Sequence, residues 1–196
     1  MNQSILRGEF VDLQPLLPAH AELTFAWRHS QRAVNLNLAA PTVAEQARWI
    51  AGRPVNEQNF VIAVKGGQAV GTLSLCAIDS HHRHAESGRF LIGDEAAVRG
   101  IPAAAEAMKL LYQHAFDTLG LVRVHGSIAS DNTLMIKWQK FMGMKEEGRL
   151  RRHYFINGHF QDAVLFGILE DEFRSTALPR MNAMIAAARA RAMQAH

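Results

Sequence analysis

The chain has 196 residues, of which 48% are hydrophobic and 20% charged, so it is neither disordered nor collagen-like and is long enough for one domain with its own core. Its formal net charge is +3 with the basic residues spread along the chain, which disfavours a nucleic-acid-binding module, because such modules concentrate Lys and Arg on one element. It shows no secretory leader pattern, no apolar run of about 20 residues that could cross a membrane, and a single cysteine, Cys76. We therefore expect a cytoplasmic protein that binds neither a membrane nor nucleic acid.

The spacing of apolar residues switches several times between two and three to four positions, which is typical of a mixed α/β protein. Turn-forming residues separate the predicted elements, as at Pro15 and at the Gly66-Gly67 hairpin turn. The predicted strands are residues 10–13, 59–65, 69–78, 85–92, 122–128, 145–152 and 162–169. The predicted helices are residues 18–29, 42–50, 103–119 and 131–142.

Capping residues mark where two of these helices begin. Thr42 precedes the second helix, and Asp131 or Asn132 precedes the fourth; such side chains accept a hydrogen bond from a backbone N–H of the first turn. In the first helix we expect Leu23 and Phe25 to face inward.

The C-terminal segment differs in composition from the rest, being rich in Ala, Met and Arg. We divide the chain into a domain over residues 1–173 and a helical tail over residues 174–196. The tail packs either on its own domain or against a second subunit, so a homodimer is one of the expected states. The residues on one helical face of the tail are Leu178, Met181, Ile185, Ala188 and Ala192.

The segment 85–111 carries the strongest chemical signal, because a strand there runs through a short turn into a helix. The turn contains Arg99 and Gly100, and small residues begin the helix. A helix start offers unpaired N–H groups and the positive end of the helix dipole, which together bind anions such as a diphosphate. The same pattern also begins many helices that bind nothing, so alone it only suggests a phosphate site.

The residues of this turn and of two later segments resemble the GCN5-related N-acetyltransferase family. Arg99 and Ala104 match the first and last positions of the family motif Gln/Arg-x-x-Gly-x-Gly/Ala, whereas Pro102 replaces a glycine. NTLMIKWQKFMGM, residues 132–144, is similar to the family's NxxAIxLYxKxGF block. The opening LRGEFVDLQPL and the closing EEGRLRRHYFINGHFQDAVLFGIL look like the RimJ/RimL-type branch, so the resemblance covers residues 6–173.

This resemblance implies a three-layer α/β (α+β) fold, in which helices flank a mixed, twisted sheet that splays open between two central parallel strands. It also implies acetyl-CoA as co-substrate, with its pantetheine arm in the wedge and without a metal. Because proline has no N–H, Pro102 removes one donor from the phosphate cradle and predicts weaker cofactor binding. The residues implied to hold the cofactor are Leu91, Ile92, Arg99, Gly100, Ala103, Ala104, Asn132 and Lys137.

Catalysis of acetyl transfer to an amine needs a base, because the nitrogen must be neutral to attack. The resemblance implies Glu86 for this role, directly or through a water. The family's usual proton donor to the thiolate is a tyrosine, and Gln139 stands at that position. Only Tyr112 and Tyr154 remain; Tyr112 reads as a core residue, and the general acid stays unassigned.

The acceptor is expected to contact the first helix. FAWRHSQR, residues 25–32, looks like a stretch of relatives that acetylate nucleotide-linked amino sugars, which implies substrate contacts by Trp27, Arg28 and His29. A nucleotide-linked amino sugar or similar small molecule is therefore the first prediction, and the N-terminal α-amine of a ribosomal or other protein the alternative. Polyamines rank last, because the N-terminal third shows no cluster of carboxylates. A non-catalytic acyl-CoA-binding module is the rival from another class.

Three other features are less favoured as functional sites. His81, His82 and His84 lack a supporting carboxylate at metal-ligand spacing. Cys76 reads as a small core residue rather than a nucleophile. The basic residues between positions 149 and 152 fit a solvated strand face better than an RNA contact.

Overall fold

The computed structural model describes residues 4–36 and 38–194, and those residues contain one mixed sheet of eight strands. The strands lie in the order β1-β2-β3-β4-β5-β6-β8-β7. Their bounds are β1 Leu6–Arg7, β2 Val11–Pro15, β3 Gln58–Val64, β4 Ala69–Asp79, β5 His84–Ile92, β6 Arg123–Ala129, β7 Lys145–Ile156 and β8 His159–Leu169.

Helices cover this sheet and connect its strands. Their bounds are α1 Ala21–Arg28, α2 Val43–Ala51, α3 Ala103–Gln113, α4 Thr133–Phe141, α5 Glu170–Glu172 and α6 Leu178–Gln194. The main core joins the sheet to α3 and α6 through residues such as Leu73, Leu111, Tyr112 and Met181. A smaller cluster around Trp27 joins α1 to β5. No helix within residues 4–36 and 38–194 is long and apolar enough to cross a bilayer.

The sheet opens between β5 and β6, the one parallel pair in the described residues. Their registered partners run only from His84 opposite Arg123 to Glu86 opposite His125, although both strands continue beyond these pairs. β4 pairs along the other edge of β5, and β8 pairs with the whole of β6. The two halves of the sheet therefore diverge beyond Glu86, which confirms the splayed three-layer fold predicted from the sequence.

Local sequence signals fixed several boundaries correctly. The Thr42 hydroxyl accepts a hydrogen bond from the Glu45 N–H at 3.2 Å, and the Asn132 side chain accepts one from the Met135 N–H at 3.2 Å, so Asn132 rather than Asp131 caps α4. Gly66 and Gly67 both have positive φ, which the tight turn between β3 and β4 requires.

Other expectations for the elements were wrong. Leu23 is 40% exposed and Phe25 half-buried, whereas Ala21, Thr24 and Trp27 are the buried residues of α1. A 3₁₀ turn over Pro18–His20 precedes α1, so the helix begins later than predicted and a different face points inward. Pro15, by contrast, is the last residue of β2, opposite Phe60, which confirms that it closes this strand; β1 pairs only with positions 12 and 13 of β2, so no ladder bond needs the missing N–H.

The C-terminal helical segment starts at Glu170 and continues through a π-helical turn, Phe173–Ala177, into α6. The predicted boundary at 173/174 therefore falls inside this segment. Met181, Ile185 and Ala188 are buried in the chain's own structure, against α3, while Ala192 is exposed. Residues 195 and 196 of the predicted tail, like residues 1–3 and 37, lie outside the described residues.

Candidate functional site

A cavity of about 210 Å³ lies between α1, α2 and the strands β4 and β5. Its apolar walls include Trp27, Trp49 and Leu91. Among the described residues that line it, none is acidic. Its polar lining consists of Thr24, Arg28, Gln46, Thr72, Ser74 and Arg89.

The structure brings two of the three predicted acceptor residues to this cavity. Trp27 is 7% exposed, and its ring packs so closely on Gly93 that a Cβ there would lie 2.2 Å from it. Arg28, the next residue, is half-buried and lines the cavity. His29 is exposed, with its Nδ1 2.9 Å from the Phe25 carbonyl, and does not line the cavity.

Arg89 is a cavity residue that sequence reasoning missed. Its Nη1 and Nη2 donate to the two carboxylate oxygens of Glu57 at 2.9 and 3.1 Å, and Nη1 also donates to Asn59 Oδ1 at 2.9 Å. Its φ is +54°, where the β4–β5 register shifts between Thr72 and Ser74. The lone charged residue in SGRFLIG was the available signal, but its partner lies 32 residues earlier in the chain.

Two guanidinium groups therefore share the cavity, and the charge of Arg89 disfavours the charged form of Arg28. Burial, and after it the charge of Arg89, lowers the pKa of Arg28. Burial alone would raise the pKa of Glu57, but its hydrogen bond to Arg89, with the charges of Arg89 and Arg53, holds that pKa below its ordinary value. An anionic group in this cavity would be attracted by both arginines.

Cys76 lies beneath this cluster on β4. It is buried, and burial raises the pKa of its thiol to about 11 despite the charge of Arg89, whose Nη1 lies 2.8 Å from the sulfur. The thiol is thus protonated at neutral pH, which agrees with a core role rather than a nucleophilic one.

The residues expected to hold the cofactor cluster around the open end of β5. Leu91 and Ile92 lie beyond the last pair with β6, and Leu91 also lines the cavity, so cavity and wedge share this strand end. Arg99 is exposed, and Gly100 has φ +85° with open space around its α-carbon. Ala103 and Ala104 begin α3, where the first N–H groups have no acceptor within the helix.

α4 lies on the other side of the wedge, after β6. Asn132 caps this helix, and Lys137 is exposed. Gln139, at the family's tyrosine position, has a buried Oε1 without a hydrogen-bond partner within residues 4–36 and 38–194. The unpaired N–H groups at the start of α3 and the exposed side chains of Arg99 and Lys137 are donors suited to phosphate groups. The unpaired Oε1 of Gln139 is an acceptor suited to an amide N–H. This set of donors and acceptors fits the phosphates and amides of acetyl-CoA.

Glu86 and the two tyrosines take different positions around the wedge. Glu86 is half-buried in the last β5–β6 pair, opposite His125, and faces Cys76 across β4–β5. The Tyr154 hydroxyl lies 2.7 Å from Ser127 Oγ on β6, just past the point where the strands separate. Tyr112 is fully buried in α3, and burial raises its pKa to about 12, so it belongs to the core as expected.

The residues within 4–36 and 38–194 contain no group of three or more His, Cys, Asp or Glu side chains arranged to hold a metal ion. The histidines at positions 81, 82 and 84 contact one another through their rings instead.

Comparison with known proteins places this geometry in a family. The model of the acetyltransferase (GNAT) domain family matches residues 11–145. A spermidine N(1)-acetyltransferase of Escherichia coli K12 is 29% identical over 118 residues, which is 60% of this chain and 61% of that protein. A Bacillus subtilis protein named as a candidate ribosomal N-acetyltransferase is 33% identical over 107 residues, 55% of this chain and 57% of its own. The chain thus matches about three fifths of the length of these relatives.

Solved structures show the same fold over most of the chain. A GCN5-related N-acetyltransferase from Brucella melitensis superposes with a TM-score of 0.78 at 25% identity, covering 93% of this chain and 86% of that one. A variant of a spermidine/spermine N-acetyltransferase from Vibrio cholerae gives a TM-score of 0.72 at 19% identity, over 85% and 98% of the chains, which is a likeness of fold alone.

Proposed function

The chain belongs to the acetyltransferase (GNAT) domain family, and from that premise we propose that it is an acetyl-CoA-dependent N-acetyltransferase acting on a primary amine. The observation that carries the proposal is the shared end of β5. Leu91 lines the arginine-containing cavity, and the same strand end borders the wedge between β5 and β6. An acceptor in the cavity and a thioester in the wedge would meet there. The opening and closing strand sequences support a RimJ/RimL-like member, and the single buried thiol supports a cytoplasmic location.

The bound cofactor supplies an activated acetyl thioester, and the chain's own groups do the rest. Glu86 would accept a proton from the ammonium group of the acceptor, directly or through a water, and so leave the neutral amine that attacks the thioester. A backbone N–H group near Leu91, on the edge of β5 that faces the wedge, would stabilise the negative charge that develops on the acetyl oxygen. Tyr154, whose hydroxyl lies 2.7 Å from Ser127 Oγ on β6, is our candidate to return a proton to the leaving thiolate, since Tyr112 is enclosed in the core.

The acceptor carries an acidic group next to its amine, and a nucleotide-linked amino sugar or a similar small molecule is our first candidate. Arg28 and Arg89 would bind its phosphate or carboxylate, and Trp27 would form the wall against a sugar or base. Two cations and no carboxylate among the described lining residues disfavour a polycation such as spermidine, although that is the substrate named for the Escherichia coli relative.

Replacement of the base tests the enzymatic reaction. In Glu86→Gln we expect kcat to fall by about 10²–10⁴-fold, while the Kd for acetyl-CoA measured by calorimetry stays unchanged. Glu22→Gln, an exposed carboxylate on α1 that does not line the cavity, is the matched control. Unchanged turnover in Glu86→Gln would remove Glu86 from catalysis. A wild-type chain that binds acetyl-CoA but acetylates none of an amino-sugar nucleotide, a peptide α-amine and spermidine would support the non-catalytic alternative.

Replacement of the arginine tests the acceptor. Arg28→Gln should raise KM for an acidic acceptor by roughly ten- to a hundredfold, the value of a lost charge-assisted hydrogen bond, and should leave KM for a neutral amino sugar unchanged. Arg32→Gln is the control, because that exposed residue pairs with Glu95 at 2.7 Å and does not line the cavity. Preference of the wild-type chain for spermidine would show the acidic-acceptor proposal to be wrong.

A further inference from the structure

A second cavity, of about 400 Å³, lies between the turn before α3 and the end of α6. One side is formed by the turn over residues 100–102 before α3, and the other by α6, which lies outside the region 11–145 matched by the family model. The lining residues are Gly100, Ile101, Pro102, Met184, Ala187 and Arg191.

The geometry of α6 shows which way this cavity faces. Arg180 donates to the Phe141 carbonyl at the end of α4 at 2.8 Å. Arg191 follows about three helical turns later and so lies on the same, α4-facing side, whereas Arg189, about two and a half turns after Arg180, lies on the opposite side. There Arg189 Nε donates to Glu9 at 2.6 Å. α3 follows β5 and α4 follows β6, so the groove between these helices leads to the wedge.

No described residue neutralises the charge of Arg191. Of the three arginines discussed on α6, Arg180 and Arg189 have hydrogen-bond partners, whereas Arg191 forms no hydrogen bond or ion pair within residues 4–36 and 38–194. Arg191 instead shares a cavity with the turn in which Pro102 has no N–H to offer. A guanidinium can provide the charge-assisted hydrogen bonds to phosphate that this turn provides less well.

We propose that α6 completes the cofactor site and that Arg191 binds a phosphate group of acetyl-CoA, either in its diphosphate or in its ribose 3′-phosphate. This inference rests on the proposed function, since it names a cofactor contact of the same acetyltransferase. It gives the C-terminal helix a binding role in addition to its packing on α3, and it explains how a chain with Pro102 in the motif retains a grip on the phosphates.

Calorimetric titration of acetyl-CoA into the full chain tests the proposal without any activity assay. Arg191→Gln should raise Kd about tenfold, and the effect should shrink as salt screens an exposed charge. Arg189→Gln is a closely matched control, with the same charge change on the same helix, and should stay within about twofold of wild type. Arg191→Lys keeps the charge and should recover part of the lost affinity.

Titration of dephospho-CoA separates the two phosphate groups. If Arg191 binds the 3′-phosphate, wild type and Arg191→Gln will bind dephospho-CoA equally; if it binds the diphosphate, the difference between them will persist. Equal Kd values for acetyl-CoA in Arg191→Gln and Arg189→Gln, beside tight binding by wild type, would overturn this inference alone. Wild type that fails to bind acetyl-CoA would overturn the proposed function as well.

Discussion

At the scale of single residues, Glu57 determines how the cavity wall is built. Its two carboxylate oxygens accept hydrogen bonds from Nη1 and Nη2 of Arg89. Arg53 Nε lies 3.0 Å from one of these oxygens, and the Arg53 guanidinium lies over the Trp49 ring at 3.8 Å. Arg89 has a positive φ, which costs a residue with a side chain about 1–2 kcal/mol. The Glu57 carboxylate therefore offsets both the backbone strain and the mutual repulsion of the arginines.

Glu57→Gln should consequently lower the free energy of unfolding by about 3 kcal/mol, because it leaves two half-buried guanidinium groups without their anion. The folded-state pKa of Glu57 is depressed, so its stabilisation is complete above the ordinary carboxyl pKa and is lost as pH falls through the folded value. The free energy of unfolding of wild type, measured with urea, should thus decrease as the pH falls below about 5, with a smaller decrease in Glu57→Gln. Glu22→Gln, an exposed control on α1, should retain the wild-type pH dependence; parallel curves for wild type and Glu57→Gln would contradict the assignment.

The same cluster shows what could be read from residues alone. Trp27 and Arg28 could be predicted as residues of one site because they are neighbours in a recognisable stretch of sequence. Arg89 was missed because its role depends on a carboxylate 32 residues away and on a bulge in the β4–β5 ladder, neither of which leaves a local pattern. The inward face of α1 was misjudged for a related reason, since the preceding 3₁₀ turn shifts the helix start.

At the scale of elements, one buried carboxylate fastens α3 to the loop that leads into β2. Glu106 is 2% exposed and accepts hydrogen bonds from the backbone N–H groups of Glu9, Phe10 and Val11 at 2.7, 2.7 and 2.8 Å. Gly8 is necessary in that loop, because a Cβ there would lie 2.4 Å from the Val11 carbonyl. The turn before α3 and the edge of the sheet are therefore held together through α3.

Glu106→Gln should destabilise the fold by about 2–4 kcal/mol, because an amide cannot accept all three bonds and leaves at least one backbone donor buried and unpaired. Unfolding by guanidinium chloride, monitored by circular dichroism, would measure this loss of stability. Glu22→Gln, on an exposed position of α1, is expected to change stability by less than about 0.5 kcal/mol. A Glu106→Gln variant as stable as the Glu22 control would mean that the loop is held by packing alone.

Element boundaries were predictable where the signal was local and lost where it was not. Thr42, Asn132 and the Gly66-Gly67 turn act through their own neighbours, so their patterns sufficed. Asn157-Gly158 carries an equally strong hairpin signal with positive φ at both residues, and neglect of it left the predicted strands of the last hairpin too short. No sequence pattern indicated that α6 lies beside the turn before α3, because this position depends on how α6 crosses α3.

At the scale of the whole molecule, the splay follows from how the strands are connected. β5 and β6 are joined by a crossover through α3 and stay paired at only three positions, while β4 and β8 hold their outer edges firmly. A ligand bound between them contacts both halves of the sheet, so its binding energy adds directly to the stability of the folded chain. Apolar periodicity alone predicts the strands but not the gap between them, which the sequence indicated only through its resemblance to a family.

Acetyl-CoA should therefore raise the melting temperature of the full chain. A ligand at a hundred times its Kd adds about 2.7 kcal/mol, which corresponds to a rise of roughly 5–10 °C for a chain of this size. Pantetheine, which reaches the wedge but has neither diphosphate nor adenosine, should give a much smaller shift at the same concentration, because the turn before α3 and Arg191 would have nothing to bind. Equal shifts of the melting temperature for the two ligands would show that the turn before α3, which contains Pro102, contributes no affinity. The absence of any shift at millimolar acetyl-CoA would rule out the wedge as a cofactor site.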